Sequence, residues 1–137
     1  MIDKIIRIIN DESKALEDLL MLLKMQYDLL MKQDVFGLEG IIEKINASSK
    51  VLAKYELDRR NLLGKQSFKN FVASSNSDKL KESYEKVKET LEKTNMQKET
   101  NDVLVKQKLL FTNKMLSIMN PNREANVYNS YGNIKRK

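Results

Sequence analysis

Ile2, Ile9, Leu16, Leu23 and Leu30 recur at seven-residue intervals along the opening of the chain. Ile6, Leu20 and Tyr27 stand four residues beyond members of that row, and only Ser13 interrupts the second series. This is the a/d pattern of a helix packed against helical neighbours. Leu19, Met21, Leu22, Met25 and Leu29 widen the apolar face beyond a two-stranded seam, so the helix is expected to touch more than one neighbour.

Composition agrees with that reading. The chain has four glycines and one proline in 137 residues, leaving few places to build the tight turns of a sheet protein. Charged residues make up 32% of it, in the range of long helices and coiled coils. The length suffices for one domain with one modest core.

The same periodicity divides the rest of the chain. The first helix is predicted over 2–32, with Gln33, Asp34 and Gly37 suggesting a break and Asp34 able to cap the next helix. A second helix over 35–63 keeps the seven-residue spacing at Leu38, Ile45 and Leu52, and Gly64 is placed to stop it. Phe68, Phe71 and Val72 suggest a short helical turn near 67–73, then a loop in which Ser77 can cap a third long helix. That helix, over 78–120, begins with Leu80, Tyr84, Val87 and Leu91. Thr94, Lys98 and Asn101 then occupy the expected seam and leave its middle poorly defined. Apolar character resumes at Val103, and Pro121 marks the end.

Helices of about 30, 30 and 40 residues span roughly 45, 45 and 60 Å. Joined by short connections, they give an all-α fold: an elongated antiparallel helical hairpin or three-helix bundle of coiled-coil type, one domain over 1–120. The tail, 121–137, has little apolar periodicity and is expected to be disordered.

Chemistry finds little to work with. No histidine is present, which removes the commonest general base and metal ligand near neutral pH. No cysteine is present, so there are no disulfides and no thiol nucleophile or thiolate metal site. No glycine-rich phosphate loop occurs. The expectation is a protein that is not an enzyme and carries no cofactor or metal. The net charge is +6, but lysines and acids are interleaved as on a solvated helix face, and only the closing IKRK is a basic cluster, too short to argue for nucleic acid. The opening residues lack the unbroken apolar run of a signal peptide, and no stretch approaches the roughly 20 apolar residues of a membrane span. A cytoplasmic location and no membrane insertion are expected.

Two features could carry binding. Between Val103 and Met119 the apolar positions cover more of the circumference than one seam needs. This helix end either packs on both other helices or offers a partner's amphipathic helix a groove to which the thioethers of Met115 and Met119 adapt. Tyr128 and Tyr131 lie outside any helical pattern, where aromatics serve as recognition anchors or pack back on the helices.

Several of these segments together resemble the FlgN family of flagellar type III export chaperones: MLLKMQYDLLMKQD closing the first helix, KVLAKYELDRRNLL in the second, TNDVLVKQKLLF with Asn101 before the apolar end of the third, and VYNSYG near the close. The match runs nearly the whole chain in order, each motif is degenerate, and the basic IKRK after the glycine departs from the family pattern. The resemblance implies a cytoplasmic chaperone without nucleotide hydrolysis. It would bind the amphipathic C-terminal helices of hook–filament junction proteins, prevent premature assembly and deliver them to the export apparatus. Carried over, Val105, Leu109, Phe111, Leu116 and Met119 would hold the substrate protein, and Tyr128 and Tyr131 would contact the export gate. A monomer or weak homo-oligomer is expected. The competing reading is a structural coiled-coil or self-assembling bundle subunit without a client.

Overall fold

The computed structural model describes residues 1–119. Among them are four helices and no strand: α1 (Ile2–Lys32), α2 (Val35–Leu63), α3 (Phe68–Ser74) and α4 (Asp78–Met119). The fold is all-α, as its periodicity predicts. The chain falls into two compact units, Met1–Asn101 and a second that begins at Asp102.

Local chemistry sets the breaks within the first unit. Gln33 adopts a left-handed conformation (φ 58°). The Asp34 amide donates to Leu29 O and the Gln33 amide to Leu30 O, so these two of the last four carbonyls of α1 are satisfied by a Schellman-type closure. Asp34 then caps α2, its Oδ1 accepting from the Gly37 amide at 2.9 Å. Gly64, with φ 66°, ends α2. The Ser67 hydroxyl accepts from Asn70 N to start α3, and Ser77 Oγ accepts from Leu80 N at the head of α4.

The α1–α2 turn reverses the chain, and the ion pair between Glu12 and Arg59 confirms that the two helices run antiparallel. Helix α4 runs in the direction of α1: Lys86 meets Glu17 at 3.8 Å, and further along Asn101 reaches Leu23 and Gln26. The core joins Ile5, Ile6, Ile9 and Leu16 of α1 with Leu63, Val72, Leu80 and Val87, so all four helices contribute. Each such fully buried aliphatic side chain contributes about 2 kcal/mol through burial alone.

The opening row is buried at Ile9, Leu16, Leu23 and Leu30 and half-buried at Ile2. The second row is buried at Ile6 and Ser13 but only half-buried at Leu20 and Tyr27, and Ile5, Glu12 and Leu19 form a further buried row beside the first. Leu22 and Leu29 do widen the face, but Met21 and Met25 are exposed. The reason is polar pairing: the row that runs through Glu12 and Gln26 meets Arg59 and Asn101 and can therefore face inward.

The middle of α4 also differs. Thr94 and Asn101 are buried and continue the seven-residue row of Leu80 and Val87, while Lys98 lies on the exposed side. The Thr94 hydroxyl donates to Thr90 O at 2.7 Å. Asn101, 1% exposed, donates to Leu23 O at 2.8 Å and Gln26 Oε1 at 2.9 Å, and accepts from Gln97 Nε2 at 3.0 Å. This stretch of seam is a satisfied polar layer, not a gap.

Candidate functional site

The second unit contains the late apolar run. Between Asp102 and Met119, Val103, Val105, Leu109, Leu110, Phe111, Met115, Ile118 and Met119 are all exposed, from 41% at Leu109 and Met115 to 75% at Met119. Leu104 and Leu116 are half-buried. Lone exposed hydrophobics are ordinary on a protein surface, but this many within five helical turns is a density of exposed apolar side chains of the kind that marks contact sites.

With about 100° of rotation per residue, Val105, Leu109, Leu116 and Met119 fall within about 80° of one another. They make one face of the helix. Phe111 does not belong to it: it lies about 120° round from Val105, with Leu104, Met115 and Ile118. Four of the five candidate substrate-binding residues are thus brought together and the fifth is set on a neighbouring face. Tyr128 and Tyr131 lie outside the described residues.

A second apolar surface is not apparent from the sequence periodicity. Met31, Val35 and Phe36 are exposed where α1 gives way to α2, Phe36 by 86%. The signal is a Val-Phe pair directly after the capping Asp34 and off the seven-residue row of Leu38, Ile45 and Leu52.

Chemistry elsewhere is sparse. No group of three or more histidine, cysteine or acidic side chains among the described residues is arranged to hold a metal ion. A shallow groove of about 290 Å³ between α1 and α4 is lined by Leu20, Lys24, Lys93, Met96, Gln97 and Thr100, a mixed surface with no convergent polar set. No helix among the described residues is long and apolar enough to cross a membrane.

An all-α protein that concentrates its exposed apolar area on one helical segment is of the class that works by contact with other polypeptides. The sequence places it further: residues 1–136 match the FlgN family, described as FlgN protein, and the chain belongs to that family. The family is one of flagellar export chaperones, not enzymes, and its members act in flagellum biogenesis with flagellar hook-associated proteins. No curated protein and no solved structure matches the chain.

Proposed function

We propose that the chain is a cytoplasmic chaperone that holds the amphipathic C-terminal helical segment of hook–filament junction proteins, keeps them from assembling early and presents them to the type III export gate. The observation that carries this reading is the exposed apolar density of residues 102–119. A client helix that must later polymerise has an apolar stripe of its own, an aggregation hazard until it is covered. The face made by Val105, Leu109, Leu116 and Met119 is suited to cover it, and Phe111 adds contact from the adjoining face. Tyr128 and Tyr131 are assigned to the export gate.

Calorimetric titration of the full chain with the C-terminal segment of a junction protein tests the reading. Binding is expected, and Leu109→Asp with Leu116→Asp is expected to weaken it by at least about tenfold, since charged side chains would be buried in the contact. No binding by the unaltered chain would overturn it. A fixed oligomer by light scattering with no client would favour a self-assembling bundle subunit instead.

A further inference from the structure

The apolar side chains of residues 102–119 are too widely spread around the helix for one partner helix to cover. Starting from Val105, the first face occupies about 80° and the Leu104, Phe111, Met115 and Ile118 face is centred about 110° away. Val103 and Leu110, both more than half exposed, lie beyond that, about 140–160° from Val105. Only one arc of about 100° has no apolar member, and it holds Asp102, Lys106, Asn113 and Ser117. A helix packed on one neighbour needs an apolar stripe of about 100°, whereas a helix that is apolar nearly all round is a core helix.

We propose that this segment is enclosed rather than merely touched: two amphipathic helices of one client close around residues 102–119 and make it the central helix of a composite bundle. The inference rests on the chaperone reading and deepens it by specifying the form of the client. Charge names the chemistry of those helices. The segment carries Lys106, Lys108 and Lys114 against a single acid, Asp102. By rotation, Lys108 and Lys114 fall on the two sides of the Leu104–Ile118 face, the positions from which edge charges choose a partner in helical packing. The client helix on that face therefore has acidic edges. A second copy of this chain would set lysine against lysine and is disfavoured as the occupant.

The test compares two probes against the full chain by calorimetry: the last ~20 residues of a junction protein, enough for one helix, and the last ~50, enough for two. The longer probe is expected to bind at least about tenfold more tightly. Phe111→Asp and Ile118→Asp, on the face given to the second client helix, are each expected to weaken the longer probe by about tenfold or more, with helix content by circular dichroism unchanged. If both variants bind the longer probe like the unaltered chain while Leu109→Asp abolishes binding, a single face suffices and enclosure is overturned while the chaperone reading stands. If neither probe binds the unaltered chain, it is the chaperone reading that fails. If the unaltered chain is a stable dimer by light scattering and Phe111→Asp dissolves it, the surface belongs to a second copy and enclosure by a client is overturned.

Discussion

Arg59 donates through Nε and Nη2 to both carboxylate oxygens of Glu12, at 2.9 and 3.2 Å, across 47 residues of sequence. Both side chains are largely buried, 15% and 8% exposed. The guanidinium also lies 4.5 Å from the centre of the Phe68 ring, and Phe68 meets Tyr84 edge-on at 4.8 Å. Glu12, Arg59, Phe68 and Tyr84 come from α1, α2, α3 and α4, so a chain of contacts through Arg59 and Phe68 links all four helices at the end where the chain makes its second reversal.

Removing one member of that pair leaves the other charge buried and unpaired. Arg59→Ala is expected to cost about 3 kcal/mol, and it also removes the cation–π contact with Phe68. Arg59→Lys recovers only part of this, because an ammonium cannot reproduce the two-pronged donation. The double variant Glu12→Ala/Arg59→Ala is expected to lose less than the sum of the two single changes to alanine, since it removes both desolvated charges together. Urea denaturation of these variants beside the unaltered chain checks it; additive losses would show that the pair is not coupled.

The pair also explains which parts of the fold could be read in advance. The row Ile2 to Leu30 was legible because each member is apolar and the period is regular. The neighbouring row through Ile5, Glu12, Leu19 and Gln26, buried at its first three members, was not, because two of its four positions are polar. Those positions face inward only because Arg59 and Asn101 arrive from 47 and 75 residues away. Local signals fared well for the same reason in reverse: Asp34, Gly64 and Ser77 act on backbone within a few residues. In the candidate surface, the apolar run was plain by counting. Its division into faces, with Phe111 set apart from Val105, Leu109, Leu116 and Met119, emerges only when rotation along the helix is traced.

Asn101 supplies a second stability test. Its amide nitrogen points at two acceptors, Leu23 O and Gln26 Oε1. Asn101→Asp keeps the shape, replaces the donor with an acceptor and buries a charge against both oxygens. A loss of about 3 kcal/mol is expected. Asn101→Ala removes the bonds without adding repulsion and is expected to cost about 1–2 kcal/mol. Thermal melts of the two variants should therefore rank Asp below Ala; the reverse order would mean that the amide does not face those oxygens.

Ser13 offers a gain. It is 2% exposed, and its hydroxyl oxygen has no hydrogen-bond partner among the described residues. Ser13→Ala relieves an unsatisfied buried group and places a better helix former within α1. An increase of about 1 kcal/mol is expected in chemical denaturation. A loss would show that the hydroxyl is satisfied in solution.

Backbone positions give a matched set. A methyl group at Gly40 would meet nothing within 4 Å, so Gly40→Ala is expected to stabilise α2 by about 1 kcal/mol. At Gly37 the same methyl would come within 2.7 Å of both Asp34 Oδ2 and Leu29 Cδ2. Gly37→Ala is expected to gain nothing or to lose, because the Asp34 cap must shift to admit it. Gln33→Gly releases a left-handed non-glycine residue at the end of α1 and is expected to gain about 1 kcal/mol. Comparing the three midpoints in one denaturant series checks the ordering.

On the proposed reading the tail tyrosines serve delivery and not the holding of a client, and the two can be measured separately. Truncation after Met119 removes Tyr128 and Tyr131 but leaves every residue of the packed first unit and of the 102–119 surface. The truncated protein is expected to melt within a few degrees of the full chain and to bind a junction-protein C-terminal segment with unchanged affinity. Tyr128→Ala/Tyr131→Ala in the full chain should behave the same way in both measurements. Binding to the export gate should fall in both proteins, because an aromatic anchor supplies much contact area with few rotors to immobilise, and its loss removes a large share of a small interface. Replacing both tyrosines with phenylalanine distinguishes area from hydrogen bonding: retained gate binding would assign the contact to the rings, and loss would assign it to the hydroxyls. If the alanine variant binds the gate normally but loses the client, the two roles are reversed and the tyrosines belong to client capture.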